Sequence, residues 1–214
     1  MGIAERRERE KKQRRNDILD AAENVFFEKG LKNATMDEVA EEAELSKGTL
    51  YLYFKSKEEL YLGITERALT VLKQMFQQAV EEKSTGIDKV LAIGEAYLEY
   101  SKKYADYFKM ILYYELAQTE LEMEQESRDR CHRLGQQTLE ILSQAIIFGI
   151  EDSSIRDNID PLKTAFLLQG MTSGMIQLIS REEDHIKNLE KFEPDELMTY
   201  FFDFIIDALK QNQD

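Results

Sequence analysis

Thr35-Met36-Asp37-Glu38-Val39-Ala40-Glu41-Glu42-Ala43-Glu44-Leu45-Ser46-Lys47-Gly48-Thr49-Leu50-Tyr51-Leu52-Tyr53-Phe54-Lys55 is the stretch on which the fold turns. Thr35 reads as an N-cap. Asp37 and Glu38 follow in the first turn, where the helix dipole favours acids, and Val39, Ala40 and Ala43 form an apolar face. Ser46 caps a second helix in which Leu50 and Phe54, four apart, pack inward and leave Lys47, Gly48, Thr49, Tyr51 and Tyr53 for other faces. Two short capped helices about three residues apart outline a helix-turn-helix.

The surrounding chain continues the helical pattern. Ile18, Leu19, Ala22, Val25 and Phe26 share one face of a first helix that runs from a charged N-terminal arm to about Glu28 and is stopped by Gly30. Ser56, followed by Glu58 and Glu59, starts a fourth helix, whose apolar series from Leu60 through Ile64, Ala68, Val71, Leu72, Met75 and Phe76 to Ala79 carries it to about Glu82. After Ser84-Thr85-Gly86, helices are expected near 87–103, 105–117, 119–148, 161–181 and 194–211. Gly149 and Asp152-Ser153-Ser154 interrupt the series, and Pro161 and Pro194 suit first helical turns. With only those two prolines and three- and four-residue apolar spacing throughout, the fold class is all-α, about nine helices and no sheet. An N-terminal three-helix domain, 1–56, is expected to be joined by the long helix to a helical body, 57–214.

Composition narrows the function classes. At 43% hydrophobic and 33% charged residues the 214-residue chain is neither disordered nor a membrane protein, and no apolar run approaches the roughly 20 residues that span a bilayer. The charged N-terminus excludes a secretory signal, and the single Cys131 cannot form an internal disulfide. Both point to the cytoplasm. A formal charge of −14 opposes general affinity for phosphates. Between Glu5 and Arg15, however, seven basic residues outnumber three acidic ones. Any contact with DNA falls to the end of the molecule carrying that arm. His132 beside Cys131 and the distant His185 make no metal set, and no glycine-rich phosphate loop occurs, so neither an enzyme nor a resident metal or cofactor is expected.

From Ile18 to Leu60, caps, glycine, aromatics and lysines fall in the register of the TetR family of bacterial transcriptional regulators, which this segment closely resembles. The rest of the chain is similar to that family only in helix count and length. The resemblance implies an N-terminal DNA-binding domain followed by a ligand-binding and dimerisation domain. Such a regulator would be a homodimer on a palindromic double-stranded operator, a repressor by family habit, released by a small-molecule effector. The chemistry agrees: a helix entering the major groove needs a slim first turn, and Ser46, Lys47, Gly48 and Thr49 supply small side chains plus one long cation. Lys47 suits a base edge, Gly48 close approach, and Thr49 a phosphate or a thymine methyl. Tyr51, Tyr53 and Lys55 suit phosphates and register. Thr35 reads as a phosphate contact or simply as a cap. Where the family often has a turn glycine this chain has Glu44. A positive φ there costs roughly 1 kcal/mol, whereas a turn of different geometry costs nothing.

The body offers two further sets. Phe166, Gly170, Ser173, Gly174 and Gln177 in one helix and Tyr200, Phe201, Phe204 and Ile205 in the next are the expected dimer surface, since by the resemblance this pair forms a four-helix interface; ordinary core is the other reading. Tyr97, Tyr104, Phe108, Leu112 and Tyr113, with Phe148, Gln169, Met171 and Met175, are the expected effector contacts. Their aromatic character suits a hydrophobic or amphipathic ligand, and a polar one held by Gln169 or Ser173 stays open. The alternative function is a helical interaction protein on the same scaffold without sequence-specific DNA binding, which the acidic charge would suit.

Overall fold

The nine helices of the computed structural model, in which residues 2–117, 125–186 and 193–211 are described, are α1 (Ile3–Asn33), α2 (Met36–Glu42), α3 (Lys47–Tyr53), α4 (Lys57–Glu81), α5 (Gly86–Lys103), α6 (Ala105–Ala117), α7 (Gln125–Glu151), α8 (Pro161–His185) and α9 (Pro194–Leu209). Among the described residues no strand forms, only one isolated bridge, Ile155 to Lys210. None of these helices is long and apolar enough to cross a membrane. The helical start expected at 119 lies outside the described residues.

The local signals act as their chemistry requires, with small shifts. Gly30 does take a positive φ, +74°, but the chain resumes helical spacing to Asn33 before Ala34 turns extended. The charged arm is the first three turns of α1 rather than a separate tail, and Glu5 closes its end on the Gly2 amide at 2.9 Å. Pro161 and Pro194 begin α8 and α9, where the missing amide hydrogen is no loss.

Two compact units divide the chain. One comprises 1–69 with 106–133, the other 70–105 with 134–214. In the first, Ile18, Leu19 and Ala22 of α1, Val39 of α2, Leu50 and Phe54 at α3, and Leu60, Leu62 and Ile64 of α4 are all essentially inaccessible. Helix α6 belongs to this core: the buried Tyr61 hydroxyl donates to the Met110 carbonyl at 2.5 Å, and its ring meets Tyr113 edge-on. Burial forces that hydroxyl to find an acceptor.

In the second unit, Gly149 sits inside α7, which continues to Glu151 rather than stopping short of the glycine. Its small size serves a close approach: a Cβ at Gly86 would collide with the backbone of Gly149, so the two glycines let α5 and α7 touch. The loop beyond then caps α5. Asp152 accepts from the Gly86 amide at 2.7 Å and Ser154 from the Ile87 amide at 3.1 Å, satisfying donors that a helix start leaves open. Helix α9 lies against α5 at Gly94, where a Cβ would come within 2.8 Å of the Phe202 ring.

Candidate nucleic-acid interface

Helices α2 and α3 are fixed by reciprocal capping. The Thr35 hydroxyl accepts from the Glu38 amide at 3.3 Å and donates to the Glu38 carboxylate at 2.9 Å, and the same carboxylate takes the Thr35 amide at 2.9 Å. Lys29 adds a 2.8 Å ion pair, and hydrogen bonds from Lys29 first and Thr35 next hold the Glu38 carboxyl below its ordinary range. The Thr35 hydroxyl is thus already engaged within α2.

The turn between the helices is a Schellman arrangement. Leu45 donates to the Ala40 carbonyl at 2.8 Å and Glu44 to Glu41 at 3.0 Å, with Glu44 in the left-handed position at φ +53°. Glutamate therefore stands in a position that favours glycine, the strained member of the two geometries left open by the sequence. Ser46 then caps α3, accepting from the Thr49 amide at 3.2 Å with its Oγ 2.8 Å from the Thr49 hydroxyl.

What α3 presents follows from its wheel. At about 100° per residue, Leu50 and Phe54 point into the core and Leu52 points directly away from it. Leu50 and Phe54 are fully buried, whereas Leu52 is 75% exposed. Beside Leu52, a Cβ at Gly48 would meet nothing nearer than the Ser46 Oγ at 4.0 Å, so the surface over Gly48 is open backbone. Lys47 is exposed and pairs with Asp37 at 2.6 Å, which raises its pKa above the ordinary lysine value. Tyr51 is exposed, Thr49 and Tyr53 are half-buried, and Lys55 folds its ammonium onto the Tyr51 carbonyl at 2.8 Å. The predicted residues from Ser46 to Lys55 thus lie together on one short helix and its flanks. Leu52 was not among them. Its position opposite Leu50 and Phe54 was the available signal.

Supporting cations have structural duties. The Arg15 guanidinium lies 4.8 Å over the Phe54 ring, and burial lowers its pKa. Lys57 donates to the Lys32 and Ala34 carbonyls at 3.3 and 3.1 Å and closes the end of α1.

The effector candidates divide between the units. Phe108, Leu112 and Tyr113 lie in the first, with Phe108 buried. Tyr97, Tyr104, Phe148, Gln169, Met171 and Met175 lie in the second. There Tyr97 is buried edge-on against Phe76, while Phe148 and Met171 are exposed. Phe148 lines an open groove of about 730 Å³ with Lys73, Lys89, Gln137 and Ile141, and Lys89 sits 5.3 Å over its ring. Tyr104 lines a separate recess of about 480 Å³ between α4 and α5. Of the dimer candidates, Phe166, Gly170, Gly174, Gln177, Tyr200 and Phe204 are exposed, whereas Ser173, Phe201 and Ile205 are buried. Among the described residues no group of three or more His, Cys, Asp or Glu could hold a metal.

Residues 18–64 match the model of bacterial regulatory proteins of the TetR family. The HTH-type transcriptional regulator YhgD of Bacillus subtilis is 33% identical over 155 residues, 72% of this chain and 78% of its own. The fatty acid metabolism regulator protein of the same species is 25% identical over 153 residues, 71% of this chain and 76% of its own. Among solved structures, the transcriptional regulator FadR of B. subtilis in complex with stearoyl-CoA superposes with a TM-score of 0.66 at 21% identity, covering 90% of this chain and 98% of that one. A helix-turn-helix built as described, in a chain that matches the family model over residues 18–64 and aligns with YhgD over most of both lengths, places the protein in the TetR family of DNA-binding transcriptional regulators.

Proposed function

We propose that the protein is a homodimeric repressor without catalytic activity, which binds a palindromic operator through α3 in the cytoplasm and is released by a long-chain acyl ligand, a fatty acyl-CoA thioester. Residues 1–56 are the reading head and 57–214 the sensing and dimerising body. The observation that carries DNA reading is the outward face of α3, where Lys47, Gly48, Thr49 and Tyr51 surround an open helix backbone. Lys47 addresses base edges, while Tyr51, Tyr53 and Lys55 hold register on phosphates.

Pairing is supported by α8 and α9. Phe166 is 59% exposed, Tyr200 70% and Phe204 60%, and the space over Gly170 and Gly174 is empty. A monomer rarely leaves so much large apolar surface on adjacent helices, and a second copy would cover it. The acyl ligand is supported by the relatives, a fatty acid metabolism regulator and a FadR holding stearoyl-CoA, together with the aromatic body. The amphipathic groove at Phe148, with Lys73 and Lys89 beside apolar Ile141, suits a ligand with an apolar part and an anionic part.

Fluorescence anisotropy on a duplex selected from random DNA tests the reading. Bound duplex should be released by long-chain acyl-CoA at micromolar concentration and not by CoA alone. Operator binding indifferent to every acyl chain length would remove the ligand assignment. Failure to enrich any duplex would remove the DNA-binding assignment.

A further inference from the structure

We propose that Leu52 is a specificity-determining residue, whose side chain reads the C5 methyl group of a thymine in the major groove of each operator half-site. This rests on the reading of α3 as the helix that enters DNA.

Leu52 lies at the centre of the outward face of α3, opposite the fully buried Leu50 and Phe54, and is 75% exposed. A single exposed leucine needs no explanation on an ordinary surface. On this helix its neighbours give it one. Helical side chains lean back over the preceding turn, so Leu52 extends over the position four residues earlier. That position is Gly48, where a Cβ would meet only the Ser46 Oγ at 4.0 Å. An isobutyl group beside a residue without a side chain forms an apolar patch that carries no polar side chain. Thr49, three residues earlier on the same side of the helix, borders it, and Lys47 directly precedes the glycine in the chain. In the major groove the one alkyl group projecting from a base edge is the thymine methyl; the other recognition groups there are hydrogen-bond donors and acceptors. Leu52 seated against any other edge would strip water from a polar group and return nothing, so it both favours thymine and disfavours cytosine or a purine. Charge complementarity from Lys47 and the basic first turns of α1 favours DNA over an apolar protein surface as the occupant.

The full-length dimer and its selected operator supply the test. Each thymine in the half-site is replaced symmetrically by deoxyuridine, which removes the methyl and keeps the base pair. Wild type should bind about fourfold more weakly per half-site, about fifteenfold overall, at one thymine position, the change expected for one methyl group returned to water. Leu52→Ala should bind the unmodified operator with the same loss and be indifferent to deoxyuridine there. Leu52→Met, which keeps an apolar side chain of similar reach, should retain the preference. Because Leu52 is 75% exposed, thermal melting of all three proteins should nearly coincide. Wild type indifferent to deoxyuridine at every thymine, or Leu52→Ala as sensitive as wild type, would overturn the proposal while leaving DNA binding intact. Absence of any enriched duplex would overturn both.

Discussion

The Tyr107 hydroxyl of α6 donates to Oε1 of Glu23 on α1 at 2.9 Å, and that same oxygen accepts from Arg67 of α4 at 2.8 Å. One carboxylate therefore ties three helices of the first unit. Arg67 extends the knot with 2.6 Å to Asp20 and 3.0 Å to the Asn16 carbonyl. Helix α1 packs on the helix-turn-helix, so the position of α6 bears on how α2 and α3 are held.

Tyr107→Phe keeps the ring, which meets Phe27 edge-on, and deletes only the donor to a charged acceptor. A loss of about 1–2 kcal/mol is expected, toward the lower end because the site is half-exposed. Chemical denaturation should register the fall with an unchanged m-value. An equal stability of variant and wild type would show that Arg67 alone satisfies Glu23.

Burial makes Cys131 inert. Its Sγ contacts the Leu62 carbonyl at 3.5 Å, and desolvation pushes the thiol up to about 12. Alkylation at pH 8 should proceed only as fast as the first unit opens. The folded state holds a proton that the unfolded state releases near pH 8.5, so stability is full below that pH and declines as pH rises toward 12. Tyr114, also pushed up to about 12 by burial, and the still higher Tyr61 and Tyr107 act in the same direction from about pH 10. The denaturation midpoint should therefore drop between pH 8 and pH 10.5; a constant or rising midpoint would contradict this account.

Glu44 holds a left-handed backbone without the freedom of glycine. Glu44→Gly relieves that conformation, worth about 1 kcal/mol, against some gain in unfolded-chain entropy. The variant should be as stable as wild type or slightly more so, and should bind the operator more tightly because an acid beside the reading helix is gone. Tighter binding that persists at high salt would show that relieved strain, rather than the lost charge, is responsible.

Much of this was legible in the chain. Thr35 and Ser46 are caps whose partners, the Glu38 and Thr49 amides, sit three residues on, and Pro161 and Pro194 open α8 and α9, each where the sequence places it. The burial of Leu50 and Phe54 followed from a single helical period. What could not be read was long-range. The joining of Tyr107 to Glu23 spans 84 residues, and the contact of Gly86 with Gly149 spans more than sixty. Periodicity says that a helix has an apolar face; it does not say which helix meets it. The aromatic run from Tyr97 to Tyr114 looked like one cluster for the same reason, yet Tyr97 packs on Phe76 in one unit and Tyr113 on Tyr61 in the other. Leu52 is apolar yet 75% exposed, so its hydrophobicity alone points to the core and only its direction on the helix, opposite Leu50 and Phe54, points outward.

Phe166→Glu with Phe204→Glu places charges on the exposed stripe of α8 and α9, where both side chains are more than half accessible. Since neither is buried within the chain, folding should survive while pairing fails, because two desolvated carboxylates have no partner in a symmetric interface. Light scattering at micromolar concentration should report a dimer for wild type and a monomer for the variant. Operator affinity should fall steeply with it. A variant that stays dimeric would move the interface elsewhere.

Lys47, assigned above to base edges in the proposed function, is already paired within the protein. Its ammonium lies 2.6 Å from Asp37, and because both side chains are exposed to water the pair is weak and easily exchanged. Binding must nevertheless exchange that partner for a base edge or phosphate, and Asp37 then remains as an unpaired negative charge close to the duplex. Asp37→Asn removes both costs. It should tighten operator binding several-fold at low salt, with the gain shrinking as ionic strength rises, whereas Lys47→Ala should weaken binding and flatten its salt dependence by about one unit. The double variant separates competition from general charge. If Asp37 acts by holding Lys47, removing it gives less benefit in the Lys47→Ala background; if it acts only as a repulsive charge, the two effects add. Tighter binding by Asp37→Asn of equal size in both backgrounds would show that the ion pair plays no part in recognition.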